Sequence, residues 1–145
     1  VTLEDLRKTW EAAYRATEYR VELPAGDLVL RVDRHEPEQD RRLREEAGVR
    51  SRWAIVTACN PSSRKLPPEH NAALLEQLGE IVAGLSLHTI GSRNHDPSGV
   101  WPDEPGVLIC DPPPGFAEEL GRRFRQNAIL LAMLGEAPQL VWLQY

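Results

Sequence analysis

Thr57, Asn60, Ser62, Arg64 and Asn71 gather in a short stretch where an apolar run gives out, and their types and spacing suit chemistry better than any others in the chain. The run Trp53-Ala54-Ile55-Val56-Thr57-Ala58-Cys59 is aliphatic and β-branched and stops at an Asn60-Pro61 step. It reads as a buried strand delivering hydrogen-bonding groups to its carboxyl end, where mixed sheets commonly hold ligands. Gln126 and Asn127 stand at a second helix-to-strand junction, and Trp101 and Glu104 come from a polar stretch between the two. Amides and hydroxyls of this kind suit a ligand with several donors and acceptors, such as a nucleoside or sugar. Arg64 or Arg93 would bind a carboxylate or phosphate on it, and Trp101 offers a flat face for stacking. Glu104 is the best available general acid or base, since a carboxyl beside an indole can carry a raised pKa. Each residue also has a plain structural role. Asn60-Pro61 is a common turn starter, Asn71 can support a first helical turn, Gln126-Asn127 can cap a helix, and Trp101 can plug the edge of a core.

Other chemistries fail on pattern. There is no G-x-G-x-x-G and no P-loop, so no cofactor motif is present. His35, His70, His88 and His95 lack the spacing of metal ligands, and His95-Asp96 opens an Asp96-Pro97-Ser98-Gly99 turn. Trp101-Pro102-Asp103 matches the acid loop of tyrosine phosphatases, and Cys59 with Arg64 resembles their phosphate loop. The spacing is one residue short, with Lys65 where the arginine belongs. The loop has no glycine to turn its amides inward, and the acid loop follows the cysteine rather than preceding it.

Periodicity supplies the elements that must position these groups. Thr2 and Asp5 form a capping-box pattern ahead of Leu3, Leu6, Trp10, Ala13 and Tyr14 on one helical face. Tyr19, Val21 and Leu23 alternate with polar residues, as do Leu28, Leu30 and Val32, and Pro24-Ala25-Gly26-Asp27 joins them into a hairpin. Residues 36–47 contain almost no apolar side chains, and Glu38–Arg42, Asp40–Arg44 and Arg41–Glu45 are spaced four apart. They form an exposed, ion-paired helix or a mobile excursion. After the central strand, 52–59, Pro67-Pro68 opens a helix whose Asn71, Leu74, Leu75, Leu78, Ile81, Val82 and Leu85 make a stripe. Residues 86–91 are a short strand or extended exit, 91–106 a polar loop, and 106–110 a strand. Phe116, Leu120 and Phe124 mark the last helix, and strands follow at 127–134 and 139–144. The order α-β-β-α-β-α-β-β-α-β-β predicts an α/β (mixed α+β) fold: one mixed sheet of about six or seven strands with helices packed on it.

The 145 residues suit a single domain, 1–145, with no linker and no repeat. A chain of this length can bury a core without a disulfide or metal staple. The net charge of −5, with each arginine cluster beside carboxylates, disfavours nucleic acid as a partner. Cys59 and Cys110 stand alone, each closing an apolar run. With no leader pattern visible they point to the reducing cytoplasm. No apolar run reaches the length of a membrane span, and the pattern leaves oligomeric state open.

At its polar stretches the chain resembles a bacterial family designated a domain of unknown function, number 3293. The resemblance lies in Trp53 to Ser63, in Asn71, in Gly99-Val100-Trp101-Pro102-Asp103-Glu104 and in Phe124-Arg125-Gln126-Asn127-Ala128. Cys59 departs from the family's aromatic residue, and Arg125 stands where a small residue is usual. The resemblance implies a small soluble bacterial protein and no particular reaction. The residues themselves point to a small-ligand domain for a nucleotide- or sugar-like molecule. Its pocket would be built from Thr57, Asn60, Ser62, Arg64, Asn71, Trp101, Glu104, Gln126 and Asn127. As an enzyme it would be a hydrolase or glycosyl-transfer catalyst working through Glu104. The alternative is a protein-interaction or regulatory module presenting residues 36–47 and the hairpin edge. A local arginine surface for nucleic acid is the third.

Overall fold

The computed structural model describes residues 2–144. Helix α1 (Leu3–Ala16) starts on the capping box: the Asp5 N–H donates to Thr2 Oγ1 (3.1 Å) and the Thr2 N–H to Asp5 Oδ2 (3.2 Å). Strands β1 (Glu18–Val21) and β2 (Leu28–Leu30) form the hairpin. Helix α2 (Pro37–Glu45) forms within the charged segment. Arg41 pairs with Glu38 and Glu45, and Arg42 with Glu46. Asp40 turns to His35 instead of Arg44. The segment is not wholly solvated, because Leu43 and Ala47 are buried against the sheet and anchor it.

Strand β3 (Arg52–Thr57) is followed by a 3-10 turn (Pro61–Ser63), helix α3 (Pro68–Gly84), β4 (Thr89–His95), β5 (Glu104–Cys110), α4 (Phe116–Arg123), β6 (Ala128–Met133) and β7 (Gln139–Trp142). All seven strands lie in one sheet, in the order β2-β1-β4-β5-β3-β6-β7. The fold is α+β as the element order indicates, and every strand pairing is antiparallel. Residues 92–103, within the expected polar loop, divide differently. Ser92 to His95 continue β4, and only residues 96–103 form a loop. The strand escapes a hydropathy reading because both its faces are polar here: Ser92 and Asn94 point one way, Arg93 and His95 the other.

The register sorts the side chains into two cores. On one face α3 and α4 cover Ala54, Val56, Ile109 and Ile129 with Leu78, Val82, Leu120 and Phe124. On the other, Tyr19, Val21, Leu30, Trp53, Ile55, Leu108 and Leu130 meet α2. At the end of that second face where β3 finishes, the apolar row gives way to Tyr19, Asn94 and Glu104, directly paired across β1, β4 and β5. Thr57 continues the row beyond Gly106. A Cβ at Gly106 would stand 2.6 Å from the Val56 carbonyl oxygen, so this crossing admits only glycine.

Candidate functional site

Helix α1 lies over the polar end of the second face. None of its residues is fully buried, and its aromatic side chains reach sideways: the Tyr14 ring stacks on Trp142 of β7 at 5.3 Å, and the Tyr19 hydroxyl donates to the Tyr14 carbonyl (3.3 Å). Beneath it is a cavity of about 850 Å³, a figure that includes the solvent space of its open mouth. Thr57, Glu104, Asn94 and Tyr19 form the floor with Ile55 and Leu130. Trp10, Tyr14 and Trp101 wall it, the two indoles meeting edge to face at 6.1 Å.

Asn60 organises the site. Its backbone sits in the left-handed region (φ 48°), which asparagine tolerates better than most residues. Its Oδ1 accepts from the Leu66 backbone N–H (2.9 Å) and from Asn71 Nδ2 (2.9 Å). A backbone N–H can only donate, so the amide is oriented without ambiguity. Its Nδ2 must face the other way, where it donates to Glu104 Oε2 at 2.6 Å. Asn71 Oδ1 in turn accepts the Asn60 N–H (2.9 Å). The chain Asn71–Asn60–Glu104 thus aims a carboxyl into the cavity. No cation pairs with that carboxyl among the described residues. Burial pushes its pKa up against the opposing effect of the Asn60 hydrogen bond.

Two further polar groups tie the rim. Gln126 Nε2 donates to the carbonyls of Cys59 (3.1 Å) and Phe124 (3.2 Å). Asn127 Nδ2 donates to Ser63 Oγ (2.8 Å), which lies 2.6 Å from the Tyr14 hydroxyl. These bonds hold a strained loop in place. Ser62 and Ser63 also have positive φ (56° and 57°), and the Ser62 N–H donates to the carbonyl of Arg125 (2.8 Å), itself at φ 54°. Left-handed backbone at non-glycine residues persists only where surrounding bonds over-determine it, and such strain collects at functional sites.

Of the residues singled out by sequence, Thr57, Asn60, Trp101, Glu104 and Gln126 line the cavity. Asn71 stands one bond behind it, and Asn127 one bond behind Ser63 and Tyr14. Ser62 and Arg64 do not line it, and Arg64 is exposed. Arg93 is engaged by Asp27 and Asp103 on the opposite face of β4. Trp10, Tyr14, Tyr19, Ser63 and Asn94 are among the lining residues that were not expected at the site. The one available signal was Trp10 and Tyr14 sharing a helical face.

Thr57 Oγ1 donates to the Pro105 carbonyl (2.7 Å) and accepts the Cys59 N–H (3.1 Å). The Cys59 thiol is buried, which pushes its pKa up and removes it as a nucleophile. Asp96 spends its carboxylate on Ser98 Oγ and the Ser98 and Trp101 N–H groups, as the turn reading requires. Among the described residues no three His, Cys, Asp or Glu side chains gather as a metal would need. No described helix is long and apolar enough to cross a membrane.

The fold and site therefore define an antiparallel α+β fold with an aromatic-walled cavity over one half-buried carboxyl. The family model described as a protein of unknown function, DUF3293, matches residues 56–129, half of the chain, and the chain belongs to that family. No curated protein and no solved structure matches it. The matched segment holds Asn60, Asn71, Trp101, Glu104 and Gln126, whereas Trp10, Tyr14 and Tyr19 come from outside it.

Proposed function

We propose that this protein binds a small polar molecule of nucleoside or sugar type in the cavity under α1. Acting as a cytoplasmic enzyme, it would use Glu104 as general acid or base in a hydrolytic or glycosyl-transfer step. The observation that supports the reading above all others is Glu104. It is a carboxyl held by an asparagine relay, facing open space, with no cation to neutralise it. A purely structural carboxylate would be given more donors. A carboxyl whose pKa is raised by burial holds its proton to higher pH than a solvated one, which suits it to general acid or base work. The aromatic walls favour a ligand with a flat or apolar face.

The arginines that would have held a phosphate lie elsewhere, so the nucleoside or sugar portion is what the cavity suits. The interaction-module alternative draws less support. The large exposed apolar side chains among the described residues are Leu3, Leu85, Val100 and Met133, from separate segments, an ordinary surface scatter. The test is a thermal-shift panel of nucleosides, free bases and sugars on the wild type and on Glu104→Gln. At least one class should raise the wild-type melting temperature, and the variant should lose most of that shift. A panel that leaves the wild type unmoved ends the reading.

A further inference from the structure

We propose that the ligand of this cavity is an organic cation, an ammonium or amidinium group on a small flat frame, held by Glu104 between the Trp10, Tyr14 and Trp101 rings. The proposal rests on the cavity being a binding site and adds the charge of its occupant. The charge inventory carries it. Among the described lining residues there are two carboxylates, Asp96 and Glu104, and no Lys, Arg or His. Asp96 is consumed by its turn, which leaves Glu104 as the acceptor open to a ligand. Three cations flank the rim, and each has a partner: Lys65 Nζ donates to the Val100 carbonyl at 3.1 Å. Arg93 lies between Asp27 and Asp103, and His95 Nδ1 is 2.8 Å from Asp103. An anionic ligand would meet a carboxyl with no counter-charge. A cation meets that carboxyl beside electron-rich aromatic walls, the combination that recognises organic ammonium groups. Trp101 already takes one: Lys65 Nζ stands 4.7 Å from its ring centroid.

Burial shifts Glu104 toward its protonated form, and a bound cation shifts it toward the ionised form. Binding must therefore expel the proton, and affinity must rise with pH through the titration of Glu104. Burial raises the pKa of Tyr19 on β1 and of Cys59 after β3. Hydrogen bonds from Ser98 and Trp101 lower that of Asp96, and His95 and Arg93 hold Asp103 low. Tyr14, on α1, is the remaining titratable group of the wall.

An isosteric series tests the claim: benzamidine, benzamide and benzoate, followed by tryptophan indole NMR on the full chain. Benzamidine should bind at least about tenfold more tightly than benzamide, with benzoate weakest, a gap of about 1.4 kcal/mol. Glu104→Gln should shrink that gap to about twofold, and lowering the pH through the titration of Glu104 should weaken benzamidine on the wild type but not on the variant. Benzamide equalling benzamidine, or benzoate binding best, overturns the cationic assignment while leaving the cavity a site for another class. A series that perturbs neither Trp10 nor Trp101 also overturns it, and the nucleoside and sugar panel then judges the cavity on its own.

Discussion

Two carboxylates bracket β5, Glu104 at its start and Asp111 just past its end, and the fold treats them in opposite ways. Asp111 accepts the backbone N–H groups of Arg50, Ser51 and Arg52 and the Ser51 hydroxyl, so it caps the edge where β3 begins. Burial works to raise its pKa, but those N–H donors outweigh it, and the net shift is downward. Glu104 receives one amide N–H, and burial prevails upward. Identical chemistry becomes structural where donors are supplied and poised where they are withheld. The surroundings differ in the same sense. Left-handed backbone occurs at both ends, at Asp111 (φ 52°) and at residues 60, 62 and 63, but the Asp111 carboxylate is filled by backbone N–H groups, whereas Glu104 lines a cavity.

The contrast is sharpest at Asn60, the residue that joins loop to carboxyl. Asn60→Ala strips partners from Leu66, Asn71 and Glu104 and leaves alanine in left-handed backbone, so denaturant unfolding should show a loss of about 3 kcal/mol. Asn60→Gly removes the same bonds without the backbone strain and should recover about 1 kcal/mol of that loss. Asp111→Ala leaves three N–H donors to water or to nothing and should cost about 2 kcal/mol.

Opposite signs give opposite pH responses. The Asp111 contribution is complete above its ordinary value of 3.8 and is lost as pH falls through its lowered folded pKa. The Glu104 contribution is complete below its ordinary value of 4.5 and is lost as pH rises through its raised folded pKa. Glu104→Gln should therefore stabilise the protein at pH 7 by about 1 kcal/mol while abolishing ligand shifts, the usual trade at a poised site. Asp111→Asn should instead flatten the acid limb of the stability curve.

The smallest effect concerns Arg125, at φ 54° on the cavity's supporting loop. Left-handed backbone favours glycine over a long side chain there. Arg125→Gly should raise stability by about 0.5–1 kcal/mol with no change in ligand response.

Much of this contrast was legible in the chain. The order of the elements follows from apolar periodicity, and Asn60, Glu104 and Gln126 stand out as polar groups where apolar runs end. The inner half of the site was not legible. Ser92 and Asn94 belong to a strand polar on both faces, which hydropathy cannot distinguish from a loop. Trp10 and Tyr14 have the spacing of core residues, and only the tertiary position of α1 turns them into a wall. Arg64 and Arg93 looked suited to an anion because side-chain type carries no direction. The fold points Arg93 at Asp27 and Asp103 on the far face.

The most direct measurement is a carboxyl carbon-13 NMR titration of Glu104, with Asp111 as the internal reference and benzamidine added in a second run. The account expects Glu104 to titrate above 4.5, Asp111 below 3.8, and the Glu104 midpoint to fall when benzamidine binds. A Glu104 midpoint at or below 4.5 in the free protein would contradict it, because the carboxyl would then be an ordinary solvated or paired group and not the poised one on which the site depends.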